Sequence, residues 1–202
     1  SAELLENGLV KPEDQPRFLS RIHQEADRLV ALINDILRLS QLDEGGALPH
    51  EQVSVLELAQ EVARSLTAQA AAQAVHISVT GTAGTVFGVR RLLYEIARNL
   101  CENAVKYNVP GGSVTVEVAE TDRDVTLLVR DTGIGIPEGD QSRVFERFYR
   151  VDKSHSRAIG GTGLGLSIVK HAVAYHHGTL RLESQPGKGT VITVTLPKEP
   201  TE

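Results

Sequence analysis

The sequence predicts an α+β fold: a helical segment, then a domain that runs helix, strand, helix, hairpin, irregular stretch, helix, hairpin. Three observations predict it. Apolar residues alternate at spacings of three and four from Leu19 to Ser40, the period of a helix. Ser113 to Ala119 and Val125 to Arg130 alternate with period two around the Thr121–Asp124 turn, the pattern of adjacent strands. Clusters of Gly and Pro separate these segments at Gly45-Gly46, Pro110-Gly111-Gly112 and Pro186-Gly187.

Composition bounds the rest. The chain has 202 residues, room for one ordinary domain and an appendage. No run reaches the roughly 18 apolar residues of a membrane span, and no secretory signal pattern is seen. The chain starts at Ser1 and contains no Met, which reads as a fragment of a longer protein. A formal charge of -5 disfavours wholesale nucleic-acid binding. Trp is absent and aromatics are sparse, so no base-stacking surface is expected. Cys101 is the single cysteine; it forbids an intrachain disulfide and is compatible with a reducing cytoplasm.

The elements follow in order. Residues 1–9 read as the tail of a helix that Gly8 helps to end. Lys11 to Pro16 is a turn, with Glu13-Asp14 suited to the start of the next helix. In that helix Leu19, Ile22, Ala26, Leu29, Ile33, Ile36 and Ser40 form a heptad seam. Val30, Leu32, Leu37 and Leu39 widen it, so the helix wants a bundle rather than a single neighbour. Residues 45–53 read as a linker. Ser54-Val55-Leu56-Glu57 is a capping box that opens a helix to about Gln73. His76 to Thr80 is strand-like, and Val89 to Asn108 is helical until the Pro110 break. Residues 137–160 are polar and irregular, too long for an ordinary connection, and read as a mobile cover over a ligand. Leu164 to His177 is helical with Gly178 as the expected C-cap. Thr179 to Ser184 and Thr190 to Leu196 form the last hairpin.

Three segments carry chemistry. In Asn99-Leu100-Cys101-Glu102-Asn103-Ala104-Val105-Lys106-Tyr107, the residues Asn99, Asn103, Lys106 and Tyr107 fall on neighbouring helical turns. An amide oxygen on Asn103 suits magnesium, which takes hard oxygen ligands and keeps several waters. Lys106 can meet phosphate charge, and Tyr107 can lay its ring against a base. Taken alone, the same face reads equally as asparagines turned to water. Asp131-Thr132-Gly133-Ile134-Gly135-Ile136 places a carboxylate, an acceptor only, at the end of an apolar strand. Such a group facing the exocyclic amino group of adenine selects against guanine, which presents an oxygen there. Gly133 and Gly135 allow close backbone approach; a solvent-facing turn is the alternative for this short motif.

The third segment is Gly161-Thr162-Gly163-Leu164-Gly165-Leu166, which leads directly into a helix and so aims backbone N–H groups at an anion. No Gly-Lys-Ser/Thr follows, so it is not a Walker A motif, and no strand precedes it, so it is not a Rossmann fingerprint. Between the second and third segments lies Phe145-Glu146-Arg147-Phe148-Tyr149-Arg150, whose two phenylalanines are expected to anchor one side of the cover in the core. Arg143, Arg147, Arg150, Lys153 and Arg157 give the cover a cationic surface suited to a triphosphate. Arg147 and Lys153 are the preferred phosphate contacts. The histidines show no metal-ligand spacing.

Together these motifs resemble the catalytic part of bacterial sensor histidine kinases. Asn99–Tyr107 resembles the family's asparagine box. Asp131–Ile136 and Gly161–Leu166 resemble its two glycine boxes, and Phe145–Arg150 its phenylalanine box. The resemblance implies a two-layer GHKL-type ATP-binding sandwich over 54–198, a mixed sheet with helices on one face and a flexible lid. It implies ATP and Mg as ligands. Asn103 then stands as the magnesium ligand, Asp131 as the adenine reader and Lys106 as a phosphate contact. The ATP-binding set is Asn99, Asn103, Lys106, Tyr107, Asp131, Gly133, Gly135, Ile136, Arg147, Lys153, Gly161, Thr162, Gly163, Leu164, Gly165 and Leu166.

Residues 1–44 resemble the end of the first helix and the whole second helix of the dimerisation and phosphotransfer hairpin. The family's acceptor pattern, His-Glu-Leu-Arg-Thr-Pro-Leu, is absent. His23 sits on the wrong helix and precedes Gln24 rather than an acid. The chain therefore holds no acceptor histidine and is expected not to phosphorylate itself at the usual site. The resemblance further implies a homodimer in the parent protein and a response-regulator receiver domain as partner. It also implies a cytoplasmic region of a membrane-anchored sensor, with no nucleic acid and no membrane contact by this fragment. Two alternatives stand beside it: a non-catalytic nucleotide-binding or dimerisation module, and another GHKL-type ATPase. Enzymes of the latter kind carry a hydrolytic Glu where this chain has Asn99.

Overall fold

The computed structural model describes residues 2–23, 25–26, 29–30, 33, 48–151 and 162–199. Helix α1 (Ala2–Glu6) ends as expected, with Gly8 in the left-handed region and the Gly8 and Leu9 N–H groups bonded back to Leu5 and Leu4 carbonyls. Helix α2 is described over 15–23. Leu19, Leu29, Val30 and Ile33 each expose more than half of their surface, so the apolar face read from the heptad has no cover among the described residues. Ile36 and Ser40 of the seam, and Leu32, Leu37 and Leu39 beside it, lie outside those residues.

The remaining chain builds two layers. Strands β2 (His76–Gly81), β4 (Ser113–Glu120), β5 (Asp124–Asp131), β6 (Thr179–Gln185) and β7 (Gly189–Pro197) form one sheet in the order β2-β4-β5-β7-β6. The β2–β4 pair is parallel and the others antiparallel, so the sheet is mixed. Helices α3 (Val55–Ala72), α4 (Arg90–Lys106) and α6 (Gly165–Tyr175) pack on it, while α5 (Glu138–Gln141) is a single turn in the irregular stretch. Alternation puts Val114, Val116 and Val118 of β4, Val125, Leu127 and Val129 of β5, and Ile192, Val194 and Leu196 of β7 on the core side. Opposite them lie Leu58, Val62 and Leu66 of α3 and Leu93, Ile96 and Leu100 of α4, spaced three or four apart. Ser54 caps α3, its hydroxyl accepting the Glu57 N–H at 3.4 Å.

Three local expectations change. Glu51–Ser54, the end of the segment read as linker, is strand β1 and pairs with β3 (Thr85–Gly88) in a separate two-stranded sheet. Four residues with one apolar member carry too little period to reveal a strand, so the partner strand decides it. The left-handed residue after α6 is His177 (φ 54), not Gly178. Gly178 is required for room instead, since a Cβ there would lie 2.6 Å from the Thr195 carbonyl oxygen. Finally, Phe148 does not enter the core. It is 57% exposed at φ 65, while Phe145 is half-buried. Three-residue spacing implies a shared face only on a helix, and Phe145–Phe148 is a series of turns.

Candidate functional site

Helix α4 turns its apolar stripe to the sheet, which leaves Asn99, Asn103 and Lys106 on its flank. That flank faces the start of α6, because a Cβ on Gly165 would lie 2.8 Å from Asn99 Oδ1 and 3.8 Å from Asn103 Nδ2. A side chain at Gly165 would have to displace the Asn99 amide. The Asn99 amide donates to the Glu95 carbonyl at 2.8 Å and to Glu95 Oε2 at 3.4 Å. The Asn103 side chain is half-buried and makes no hydrogen bond among the described residues. Its amide is therefore open to a ligand.

Asp131 ends β5 on the helix-facing side of the sheet. Its Oδ1 accepts the Gly133 N–H at 2.8 Å and the Thr190 N–H at 3.2 Å. Its Oδ2 has no such partner among the described residues. Burial raises the carboxyl above its ordinary pKa, and the two N–H donors oppose that rise. The loop after Asp131 is tied on both sides. The Ile134 N–H donates to the Tyr107 carbonyl at 3.1 Å, joining it to the end of α4. The Ile136 N–H donates to Ser184 Oγ at 2.8 Å, joining it to β6. Gly135 (φ 68) lies so close to the Gln185 carbonyl that a side chain has no space.

The third wall is the loop before α6. Helix α6 has no side-chain N-cap at Leu164, so the N–H groups of its first turn remain available to an anion. Thr162 Oγ1 accepts the Leu164 N–H at 3.3 Å, Leu164 is fully buried, and Leu166 packs against the core. The Gly163 carbonyl accepts the Phe148 N–H at 2.9 Å, which fastens this loop to the phenylalanine segment. Gly161 and Lys153 lie outside the described residues.

The cations divide. Arg147 is exposed, and its guanidinium donates to His171 Nε2 at 3.1 Å on α6. Arg150 instead buries its Nε and one terminal nitrogen, Nη2, with no hydrogen-bond partner. It stands near Lys106 and Tyr107. Burial, aided by the Arg150 charge, lowers the Lys106 pKa against the opposing pull of Glu102. Burial raises that of Tyr107, and the Arg150 charge opposes it. Two buried guanidinium nitrogens near a partly buried lysine are unfavourable unless an anion joins them. Phosphate oxygens supply that charge.

The structure thus brings Asn99, Asn103, Lys106 and Tyr107 together with the Asp131–Ile136 loop and the 162–166 segment around one end of the sheet. Arg150 and Thr190 belong to the same place and were not singled out from the sequence. Arg150 is one of five cations in its stretch, and only its burial distinguishes it. Thr190 carries no local signal beyond strand alternation. Among the described residues no cluster of three or more His, Cys, Asp or Glu could hold a metal.

Known proteins identify the family and the fold. Residues 88–200 match the family model of the histidine kinase-, DNA gyrase B-, and HSP90-like ATPases. Residues 1–45 match the His Kinase A (phospho-acceptor) domain. The chain is 41% identical over 204 residues to the sensor-like histidine kinase SenX3 of Mycolicibacterium smegmatis, covering 98% of this chain and 52% of the relative. The chain therefore spans about half the length of that relative. Among solved structures it resembles the mycobacterial sensor histidine kinase MprB (TM-score 0.65, 33% identical, 76% of this chain, 100% of that one). It also resembles full-length ShkA in complex with AMPPNP (TM-score 0.76, 27% identical, 96% of this chain, 41% of that one). No helix among the described residues is long and apolar enough to cross a membrane. The chain belongs to the histidine kinase-, DNA gyrase B-, and HSP90-like ATPase family: it is a histidine kinase ATPase catalytic domain with a His Kinase A segment ahead of it, homologous to sensor histidine kinases.

Proposed function

We propose that this chain binds magnesium ATP between α4, the Asp131–Ile136 loop and the 162–166 segment, and presents the γ-phosphoryl group to a histidine on a helical hairpin. The observation that carries the reading is the pair of buried, unpartnered guanidinium nitrogens of Arg150 near Lys106, which lies one helical turn from the open amide of Asn103. Asp131 Oδ2 accepts from the adenine amino group, with Oδ1 already occupied by two backbone donors. Tyr107 lies at the base end of the site. Lys106, Arg150 and the first-turn N–H groups of α6 hold phosphate oxygens. Asn103 would hold magnesium, which when bound neutralises phosphate charge. The residues themselves orient the nucleotide so that the terminal phosphorus is open to in-line attack; positioning and charge neutralisation carry the rate.

Residues 1–44 carry no acceptor pattern, so the receiving histidine is assigned to the first helix of the hairpin whose second helix is α2. The exposed α2 face, with Leu19, Leu29, Val30 and Ile33, supports a homodimeric bundle there. Family resemblance supports onward transfer to an aspartate on a response-regulator receiver domain, and a membrane-anchored sensor as the parent.

The test has two parts. Calorimetry of the whole chain with magnesium ATP is expected to show binding, and Asn103→Ala is expected to abolish its magnesium dependence. Unchanged affinity in Asn103→Ala removes the ligand assignment. Addition of a hairpin carrying the acceptor pattern is expected to yield acid-labile phosphohistidine from labelled ATP. Binding without any transfer favours the non-catalytic module.

A further inference from the structure

The sheet ends next to the site in a polar row. Strand register pairs Val129 of β5 with Ile192 of β7, and Ile192 with Leu182 of β6, an apolar row on the helix-facing side. Two residues further along each strand, on the same side, stand Asp131, Thr190 and Ser184. Thr190 is 8% exposed. Ser184 and Thr190 are register partners, and their hydroxyl oxygens are 3.0 Å apart.

The protons of this row can be assigned by valence. A serine hydroxyl has one hydrogen and two lone pairs. Ser184 Oγ lies 3.0 Å from the Gly189 carbonyl, which can only accept, so the serine proton goes there. The Ile136 N–H, 2.8 Å away, can only donate and takes one lone pair. The second lone pair is left for Thr190, so the threonine must donate to the serine. Thr190 then has lone pairs but no proton to offer a ligand. Asp131, with Oδ1 filled by two N–H donors, also presents only an acceptor.

We propose that Ser184 is a positioning residue for base selection: by taking the Thr190 proton it makes the Asp131–Thr190 floor acceptor-only, and so sharpens the choice of a 6-amino over a 6-oxo purine. The inference rests on the reading of Asp131 as the adenine contact and assigns the discrimination to a residue outside that contact. Adenine offers two N–H bonds from its amino group. Hypoxanthine offers a carbonyl oxygen at the same place, which two acceptors repel. Without the serine hydroxyl, Thr190 is free to turn its proton to that oxygen.

The experiment compares ATP with ITP, whose bases differ at C6 and in the proton that the 6-oxo form carries on N1, a difference common to every variant, by calorimetry on the whole chain with magnesium. The unmodified chain is expected to prefer ATP. Failure to bind either nucleotide overturns the nucleotide reading itself, and the inference with it. If ATP binds, Ser184→Ala is expected to narrow the ATP-to-ITP affinity ratio by about tenfold, and Ser184→Thr, which keeps the hydroxyl, to restore it. An equal loss for both nucleotides in Ser184→Ala marks a purely structural role and overturns the inference. So does an unchanged ratio, or a Ser184→Thr ratio as narrow as that of Ser184→Ala. Should Ser184→Ala fail to fold, Thr190→Val decides. Weaker ATP with unchanged ITP upholds the acceptor floor, and unchanged ATP affinity overturns it.

Discussion

Asp131 Oδ1 and the Gly133 N–H meet at 2.8 Å, so the carboxylate folds its own loop with one oxygen and keeps the other for a ligand. Burial nevertheless raises its pKa. For an acid whose folded pKa lies above the unfolded one, the folded state binds the proton more tightly. Its stabilising contribution is then present at low pH and lost as pH rises through the folded value. At neutral pH the ionised carboxylate is thus held at some cost to stability. Asp131→Asn keeps an acceptor for both N–H groups and removes the charge. The expected result is a thermal midpoint equal to or above that of the parent chain at pH 7 and ATP affinity lower by about tenfold or more, the scale of a charge-assisted hydrogen bond. A lower midpoint with unchanged ATP affinity contradicts both halves. Calorimetry and a thermal melt suffice.

Arg150 poses the same trade. Its buried, unpartnered nitrogens cost stability in the free protein and repay it when an anion arrives. Arg150→Met is expected to leave the nucleotide-free midpoint unchanged or higher, and to weaken ATP by about tenfold to a hundredfold. Binding of adenosine, which carries no phosphate, is expected to be unchanged. Arg147→Met is expected to weaken ATP far less, because Arg147 is exposed and lies against His171. Equal effects of the two variants overturn this division of the cations.

His176 sets a pH dependence at the end of α4 opposite Asn103 and Lys106. Its Nδ1 faces the Ala172 carbonyl at 2.7 Å and its Nε2 accepts the Val89 N–H at 3.0 Å, just ahead of α4. Both contacts are satisfied only by the neutral ring protonated on Nδ1. Burial lowers its pKa, and the neighbouring His50 and His177 add to that; the Ala172 contact opposes it. For a base with a depressed folded pKa, stability is full above the unfolded value and is lost as pH falls through the folded one. The midpoint of the parent chain is expected to drop as pH falls below the ordinary histidine range. His176→Gln is expected to be less stable at pH 8 and to lose that part of the slope. Parallel midpoint-against-pH curves for the two proteins exclude the assignment.

Much of this molecule is legible without coordinates. The order of helices and strands follows from periodicity, since Val125, Leu127 and Val129 can share a face only in a strand, and Leu93, Ile96 and Leu100 only in a helix. The glycine-bearing motifs and the asparagine helix also announce themselves, because close backbone approach and an open amide each demand particular residue types at fixed spacing. The pairing of Glu51–Ser54 with Thr85–Gly88 does not, because a four-residue strand is made by its partner.

Local pattern therefore determined the fold class, the motif set and the absence of the acceptor histidine pattern from this chain. Tertiary structure alone decided which cation is buried, that Phe148 faces outward, and that Asp131, Thr190 and Ser184 form one row. The reason is physical. Helical and strand periods are set by neighbours along the chain, whereas burial, proton direction and charge pairing depend on groups far apart in it, such as Asp131 and Thr190, 59 residues apart, that meet only when the sheet closes.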